Sequence, residues 1–436
     1  MATVTSTKPH PADPPEPPGP PEPPGPPEPS EPSGSRGREA RRRLKSRLDA
    51  MRRRMREGQL GSAPAIVALA VIWTVFGIMD PDFLSPRNLS NLGIDIVGAG
   101  LVAVGVVFVL LLAEIDLSVA SVGALSAALF AALNVRHGVP EAAAVLLALA
   151  VGAAVGAVHG FFVARVGVPS FVVTLAGLLG WNGLTLYIFA GQGTILLDEN
   201  GPVVRLTHSY FHDVAVAYAL AALGTLAYFL LSYRTARRRR AAGALPVRGL
   251  PEIVLRTLGL AAVSFTAGWT LNQFLGLPLA LLIFLVFLVC LDVLLRRTPY
   301  GRRIVALGGN IEPARRAGIA VTSVRVSVFM ISSTMAAIGG LFLASRVSSA
   351  SATAGSGNLL IEAIAAAVIG GTSLFGGRGR TWSALLGILV IQSVASGMAL
   401  LGIPGAVQFM IIGVVLLGAV VIDTLARRTQ QAHGWA

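Results

Sequence analysis

The segment AEIDLSVAS (113–121) sets two carboxylates, Glu114 and Asp116, and two hydroxyls, Ser118 and Ser121, between two long apolar runs. A carboxylate surrounded by hydrocarbon costs several kcal/mol unless it meets water, a partner or a helix end. Two readings therefore stand. Either the segment is a solvated hairpin, with Asp116 or Ser118 capping the next helix, or it is a break in a helix that lines a polar path. Asp95 and Glu362 are two more isolated acids near the ends of apolar runs, and interfacial exposure is the reading favoured for Asp95.

Other chemistries find no support. The glycine-rich VIGGTSLFGGRGR (368–380) lacks the lysine that a phosphate-binding loop carries after its glycines. The only lysines are Lys8 and Lys45, preceded by Thr7 and Leu44. Gly370, Gly371, Gly376 and Gly377 instead read as points of close helix approach, with a tight turn at Gly376-Gly377. His159 lies in GAAVGAVHG and reads as a packing residue. His208 and His212 stand four apart but lack a third ligand, so no metal site is expected. No nucleophile–base pair emerges, and no catalytic residue is assigned. The single Cys290 excludes a disulfide within the chain.

The elements that must hold these residues are apolar helices. Hydrophobic residues make up 54% of the 436, charged ones 13%, and the mean hydropathy is +0.70. Residues 1–60 hold 12 of the 35 Lys+Arg and 8 of the 22 Asp+Glu, leaving 37 charged residues in the other 376. A soluble domain carries about a quarter charged residues, so a water-soluble globule is excluded. Apolar stretches lie near 63–79, 93–113, 117–134, 142–163, 168–190, 212–233, 255–274, 277–295, 324–345, 359–376, 382–402 and 405–425. Each is long enough, or nearly so, to cross about 30 Å of hydrocarbon as a helix. The expectation is an all-α polytopic membrane protein of about twelve helical segments, with a transmembrane domain over 61–428 and a C-terminal tail over 429–436.

Residues 1–40 hold 14 of the 26 prolines and have little to bury, so they are expected to form a disordered Pro-rich tail. The basic segment 41–60 includes RRRLKSRLDAMRRRMR (41–56), whose nine positive charges suit anionic lipid or a topogenic signal. The net charge of +13 thus speaks for membrane orientation, not nucleic acid. With both termini cytoplasmic, 19 of the 23 later basic residues fall inside; Arg87, Arg136, Arg205 and Arg346 fall outside. One internal loop, 296–325, continues from a basic run through Gly308-Gly309-Asn310 into a short helix IEPARRAGI, with Pro313 in its first turn. It is a docking helix or an ordinary basic loop.

These stretches resemble the sugar permeases of bacterial ATP-binding-cassette importers, the ribose and xylose permease family. The likeness runs through PRNLSNLGIDIVGAGLVAVGVVFVLLLAEIDLSVASVGALSA (86–127), VPSFVVTLAGLLGWNGLTLYIFAGQ (168–192), TPYGRR and GGNIEPARRAGI (298–319), and AAAVIGGTSLFGGRGRTWSALLGILVIQSVASGMALLG (365–402). The chain departs from the pattern at Ala113-Glu114, where a glycine pair is usual, in its Pro-rich tail, and in an extra apolar pair near 212–274. That longer layout and SGMALLGIP (396–404) look like the xylose permeases. The resemblance implies a multi-pass permease subunit of a bacterial cell membrane, taking xylose or a related pentose from an extracytoplasmic binding protein. It implies a second permease copy and a separate cytoplasmic ATPase that uses the ATP, with no cofactor on this chain. It also implies a coupling segment containing Gly309, Asn310, Glu312, Ala317 and Gly318, and a polar path lined by Asp116, Ser118, Asn182 and Gln192. A branched-chain amino-acid permease is the nearest alternative. A self-sufficient ion-coupled transporter is a second, but it calls for inverted repeats and none is clear.

Overall fold

The computed structural model describes residues 63–243, 249–354 and 358–432. The expected tail 1–40, the basic segment 41–60 and the final residues 433–436 lie outside the described residues. The chain is an all-α membrane protein. Its helices are α1 (Ala63–Met79), α2 (Pro86–Leu111), α3 (Val119–Ala131), α4 (Glu141–Phe161) and α5 (Ser170–Phe189). Then come α6 (Pro202–His208), α7 (Val214–Ala241), α8 (Leu250–Asn272), α9 (Leu279–Arg297), α10 (Pro299–Gly309) and α11 (Ile311–Arg316). The last four are α12 (Val321–Arg346), α13 (Leu359–Ile369), α14 (Thr381–Leu400) and α15 (Gly405–Ala432). Among the described residues four short strands join them: β1 (Thr194–Leu196), β2 (Tyr210–Phe211), β3 (Leu277–Pro278) and β4 (Ser349–Ser351).

Among the described residues nine helices are long and apolar enough to cross a membrane. Three further apolar stretches are shorter: Ala63–Met79, Leu359–Ile369 and Gly405–Gly418. The expected span 359–376 is helical only as far as Ile369. There Gly371 takes φ +103°, the Gly371 amide donates to the Val368 carbonyl, and the Thr372 amide donates to that of Ala367. This pair of bonds is a Schellman ending, which needs the left-handed conformation that glycine supplies. At about 16 Å, α13 cannot cross the hydrocarbon alone.

Helix α12 runs through the middle, in contact with α2, α3 and α4. Gly105 of α2 lies where a Cβ would come 2.8 Å from the Ser332 carbonyl. Gly123 of α3 stands likewise 2.9 Å from the Ala336 carbonyl, and Gly156 of α4 2.5 Å from that of Phe329. Backbone meets backbone at each crossing, as in membrane helix pairs built on small residues. Helix α2 is correspondingly central, with 94% of its apolar window buried, against 6% for α8. The expected extra pair is thus the peripheral hairpin α7–α8, held by Tyr218 stacked on Phe265 at 5.9 Å.

The loops gather at two ends. At one, β1 pairs antiparallel with β4 and β2 with β3. At the other lie the turns at 112–118 and 370–380 and the arginine-rich segment 298–320, which touch one another as described below. We call these the strand end and the basic end.

Candidate functional site

Helix α2 ends at the basic end in the same way as α13, but with Ala113 in the left-handed position at φ +59°. The Ala113 amide donates to Leu110 O (2.9 Å) and that of Glu114 to Val109 O (3.3 Å). Glycine is the usual occupant of that position, so the departure from the glycine pair keeps the turn and costs about 1 kcal/mol of backbone strain. The chain then reverses: α2 runs antiparallel to α12, with Gly98 against Gly339 and Gly105 against Ser332, and the next stretch runs parallel to it, with Asp116 beside Ser332 and Gly123 beside Ala336. The reversal is no solvated hairpin. Glu114 pairs with Arg325 in the first turns of α12 at 2.8 Å, and Asp116 is only 4% exposed.

Asp116 is the centre of a buried polar chain. Its Oδ1 accepts the Ser118 amide (2.9 Å) and the Ser118 hydroxyl (2.6 Å), and Oδ2 faces the Ser332 hydroxyl of α12 at 3.4 Å. His159 of α4 places Nδ1 3.3 Å from Ser118 Oγ. The Trp181 indole of α5 donates to His159 Nε2 at 3.0 Å. Since that nitrogen accepts, the neutral ring carries its proton on Nδ1, where it donates to Ser118 Oγ. Two hydroxyls at the start of α5 accept the loop's own amides: Ser170 Oγ that of Ile115 (3.3 Å) and Thr174 Oγ1 that of Leu117 (3.1 Å). Buried amides need such partners. The network therefore joins α3, α4, α5 and α12 through one carboxylate. His159, which the sequence presents as packing, belongs to it.

Asn182 is half-buried on α5, one residue beyond Trp181 and outside this network. Gln192 lies at the strand end, exposed, with its Oε1 accepting from Arg136 at 2.6 Å. The structure thus brings Asp116 and Ser118 together and sets Gln192 apart from them. It also joins acids that looked isolated. Asp95 of α2 accepts from Arg346, in the last turn of α12, at 2.8 Å. Glu362 of α13 accepts from Gln392 of α14 at 3.4 Å. Both pairs lie at the strand end, and sequence separations of 251 and 30 residues hide them from any local pattern.

At the basic end, α10 buries Gly301, Ile304 and Leu307, one face of three turns. Tyr300 shares a hydrogen bond of 2.7 Å with Ser327 of α12. Burial holds the Tyr300 phenol above its ordinary pKa, the Ser327 bond opposing in part, so it stays a neutral hydroxyl. Asn310 caps α11 by accepting the Glu312 amide at 3.1 Å, and Glu312 pairs with Arg315 at 3.4 Å. Gly309, Asn310, Glu312, Ala317 and Gly318 are all exposed, and Gly318 takes φ +78°. Gly308 lies directly beneath, its α-carbon against the Leu111 carbonyl and the Gly377 amide. The Gly377 amide itself donates to Leu111 O at 2.9 Å. Gly376 and Gly377, at φ +82° and +70°, make the tight turn that reaches this point. Gly370 packs its α-carbon on the backbone of Ser383 in α14. Three separate stretches thus converge: the end of α2, the exposed α10–α11 unit, and the 370–380 turn.

The sequence profile described as "Branched-chain amino acid transport system / permease component" matches residues 88–420. The xylose transport system permease protein XylH of Escherichia coli (strain K12) is 37% identical over 365 residues, 84% of this chain and 91% of the relative. Its counterpart in Haemophilus influenzae is 35% identical over 82% of this chain and 95% of its own length. The ribose import permease protein RbsC of Bacillus subtilis (strain 168) is 32% identical over 84% of this chain and 94% of its own length. No solved structure matches at a significant level.

Proposed function

Because the chain belongs to the family of membrane-embedded permease components just described, we propose that it is the transmembrane subunit of an ATP-driven importer of a monosaccharide, xylose or a related pentose. The observation that carries the substrate is the 37% identity to a xylose permease across 84% of the chain. The chain is a transport subunit and sits in the bacterial cell membrane as a multi-pass protein. ATP hydrolysis belongs to a cytoplasmic partner, sugar arrives on an extracytoplasmic binding protein, and two permease copies pair. The branched-chain amino-acid alternative rests on the wording of the family description.

In this reading the basic end faces the cytoplasm, since the arginine-rich loops gather there, and both termini are cytoplasmic. The exposed surface of Gly309, Asn310, Glu312, Ala317 and Gly318 seats on the ATPase, and Gly308 passes its displacement to the end of α2 and the 376–377 turn. Asp116 and Ser118 close the path at this end. The site holds sugar loosely, because only a difference in affinity between outward and inward states does work.

The test is uptake of labelled xylose, ribose and leucine in a strain without its own importers for them, supplied with this chain and its two partners. Xylose uptake that requires all three components is the expected result. Uptake of leucine alone would overturn the sugar assignment, and proton-driven xylose uptake by the chain alone would overturn the ATP-driven one. Topology has its own test. Reporter fusions after residues 243 and 310 should both signal cytoplasm, and an external signal at either would reverse the orientation.

A further inference from the structure

Asp95, Glu362 and Gln392 border one cavity of about 360 Å³ at the strand end, with Glu362 and Gln392 bonded to each other. Small residues of three helices, Ala99, Ala127 and Gly340, form its floor. The volume falls at the lower end of the range for small-molecule sites, about 300–1,000 Å³. Its polar equipment is specific. Glu362 accepts a single bond from Gln392, whereas a carboxylate offers about four acceptor positions. Gln392 keeps its amide carbonyl as an acceptor beside the donor it spends on Glu362. The nearby cation, Arg346, has its Nε committed to Asp95. An amino-acid zwitterion entering here would bring its carboxylate toward Asp95 and Glu362, and no cationic side chain is among the described residues that line the cavity. A neutral polyol brings hydroxyls, which donate to carboxylates in strong charge-assisted bonds and accept from an amide.

We infer that this cavity is the outward-facing sugar subsite of the permease, in which Glu362 and Gln392 together hold neighbouring hydroxyls of a pentose and Asp95, held in place by Arg346, stands on the wall. The inference rests on the importer reading and adds to it a place and a set of residues. Glu362 and Gln392 stand on α13 and α14, so a bound sugar bridges these helices to α2 and α12.

The test uses the full chain assembled with its partners in membranes. Cys290 is the chain's only cysteine, so a Cys290→Ser background with Ser349→Cys places a single thiol on the cavity wall. A membrane-impermeant thiol reagent added from outside should label it. With xylose present at about three times its Kd for the cavity, labelling should slow about fourfold, the free fraction having fallen to a quarter. Leucine should leave the rate unchanged. Glu362→Gln and Gln392→Ala, each added to the reporter chain, should weaken protection by xylose. Unchanged labelling at saturating xylose, protection that survives both substitutions in full, or protection by leucine would each overturn the subsite. Xylose uptake by the unmodified assembly, measured alongside, separates the two failures: uptake without protection removes the subsite alone, and absence of uptake removes the importer reading with it.

Discussion

Gly308→Ala should abolish ATP-driven uptake although the chain still inserts. A Cβ at 308 would stand inside the Leu111 carbonyl oxygen and 2.9 Å from the Gly377 amide nitrogen. Both obstacles are backbone, and they are bonded to each other, so no flexible side chain can yield. Overpacking ordinarily costs about 1–3 kcal/mol, and a collision with two fixed peptides belongs at or above the top of that range. Relief comes only by lifting α10 away from the end of α2, which disconnects the exposed unit from the rest. Gly224→Ala is the control, since no heavy atom lies within 4 Å of the position its Cβ would take on the peripheral hairpin. Uptake and ATPase stimulation should be measured at matched membrane levels. Normal transport by Gly308→Ala would show that this junction has room to spare.

Asp116→Leu should remove most transport, and Asp116→Asn should be much milder. Leucine leaves the Ser118 amide and the Ser118 and Ser332 hydroxyls without their shared acceptor in a buried site. Each unmet group costs about 1–3 kcal/mol, and the Ser118 hydroxyl would be left with His159 alone. Asparagine retains an oxygen for Ser118, and its amide can donate to Ser332, whose hydroxyl turns to accept. The comparison is uptake together with thermal stability of the purified assembly. Equal, mild effects of the two substitutions would mean that the carboxylate contributes little.

Much of the architecture is written in hydropathy. The runs read near 63–79, 142–163 and 382–402 correspond to α1, α4 and α14, because lipid imposes long apolar helices and little else. The premature end of α13 is not legible that way. Gly370-Gly371 lies inside an apolar run and looks like packing, and only the φ of Gly371 reveals a terminator. Proximity is the other blind spot. Ser118 and His159 are 41 residues apart, and Asp95 and Arg346 are 251 apart. A single sequence shows such groups as isolated, so His159 reads as a packing residue and Asp95 as an interfacially exposed acid. Their roles follow only from which helices lie side by side, α3 with α4 and α2 with α12.

That helix has a mechanical consequence. It is 26 residues long, about 39 Å at 1.5 Å per residue. Near its start Arg325 holds Glu114, partway along Ser332 meets Asp116, and its last residue, Arg346, holds Asp95. Between these grips glycines of α2, α3 and α4 meet its backbone, and its Phe329, Met335 and Phe342 are buried in the core. Any axial shift that loosens one of the three grips alters the others in the same stroke. The basic end and the strand end are therefore tied together through one continuous helix.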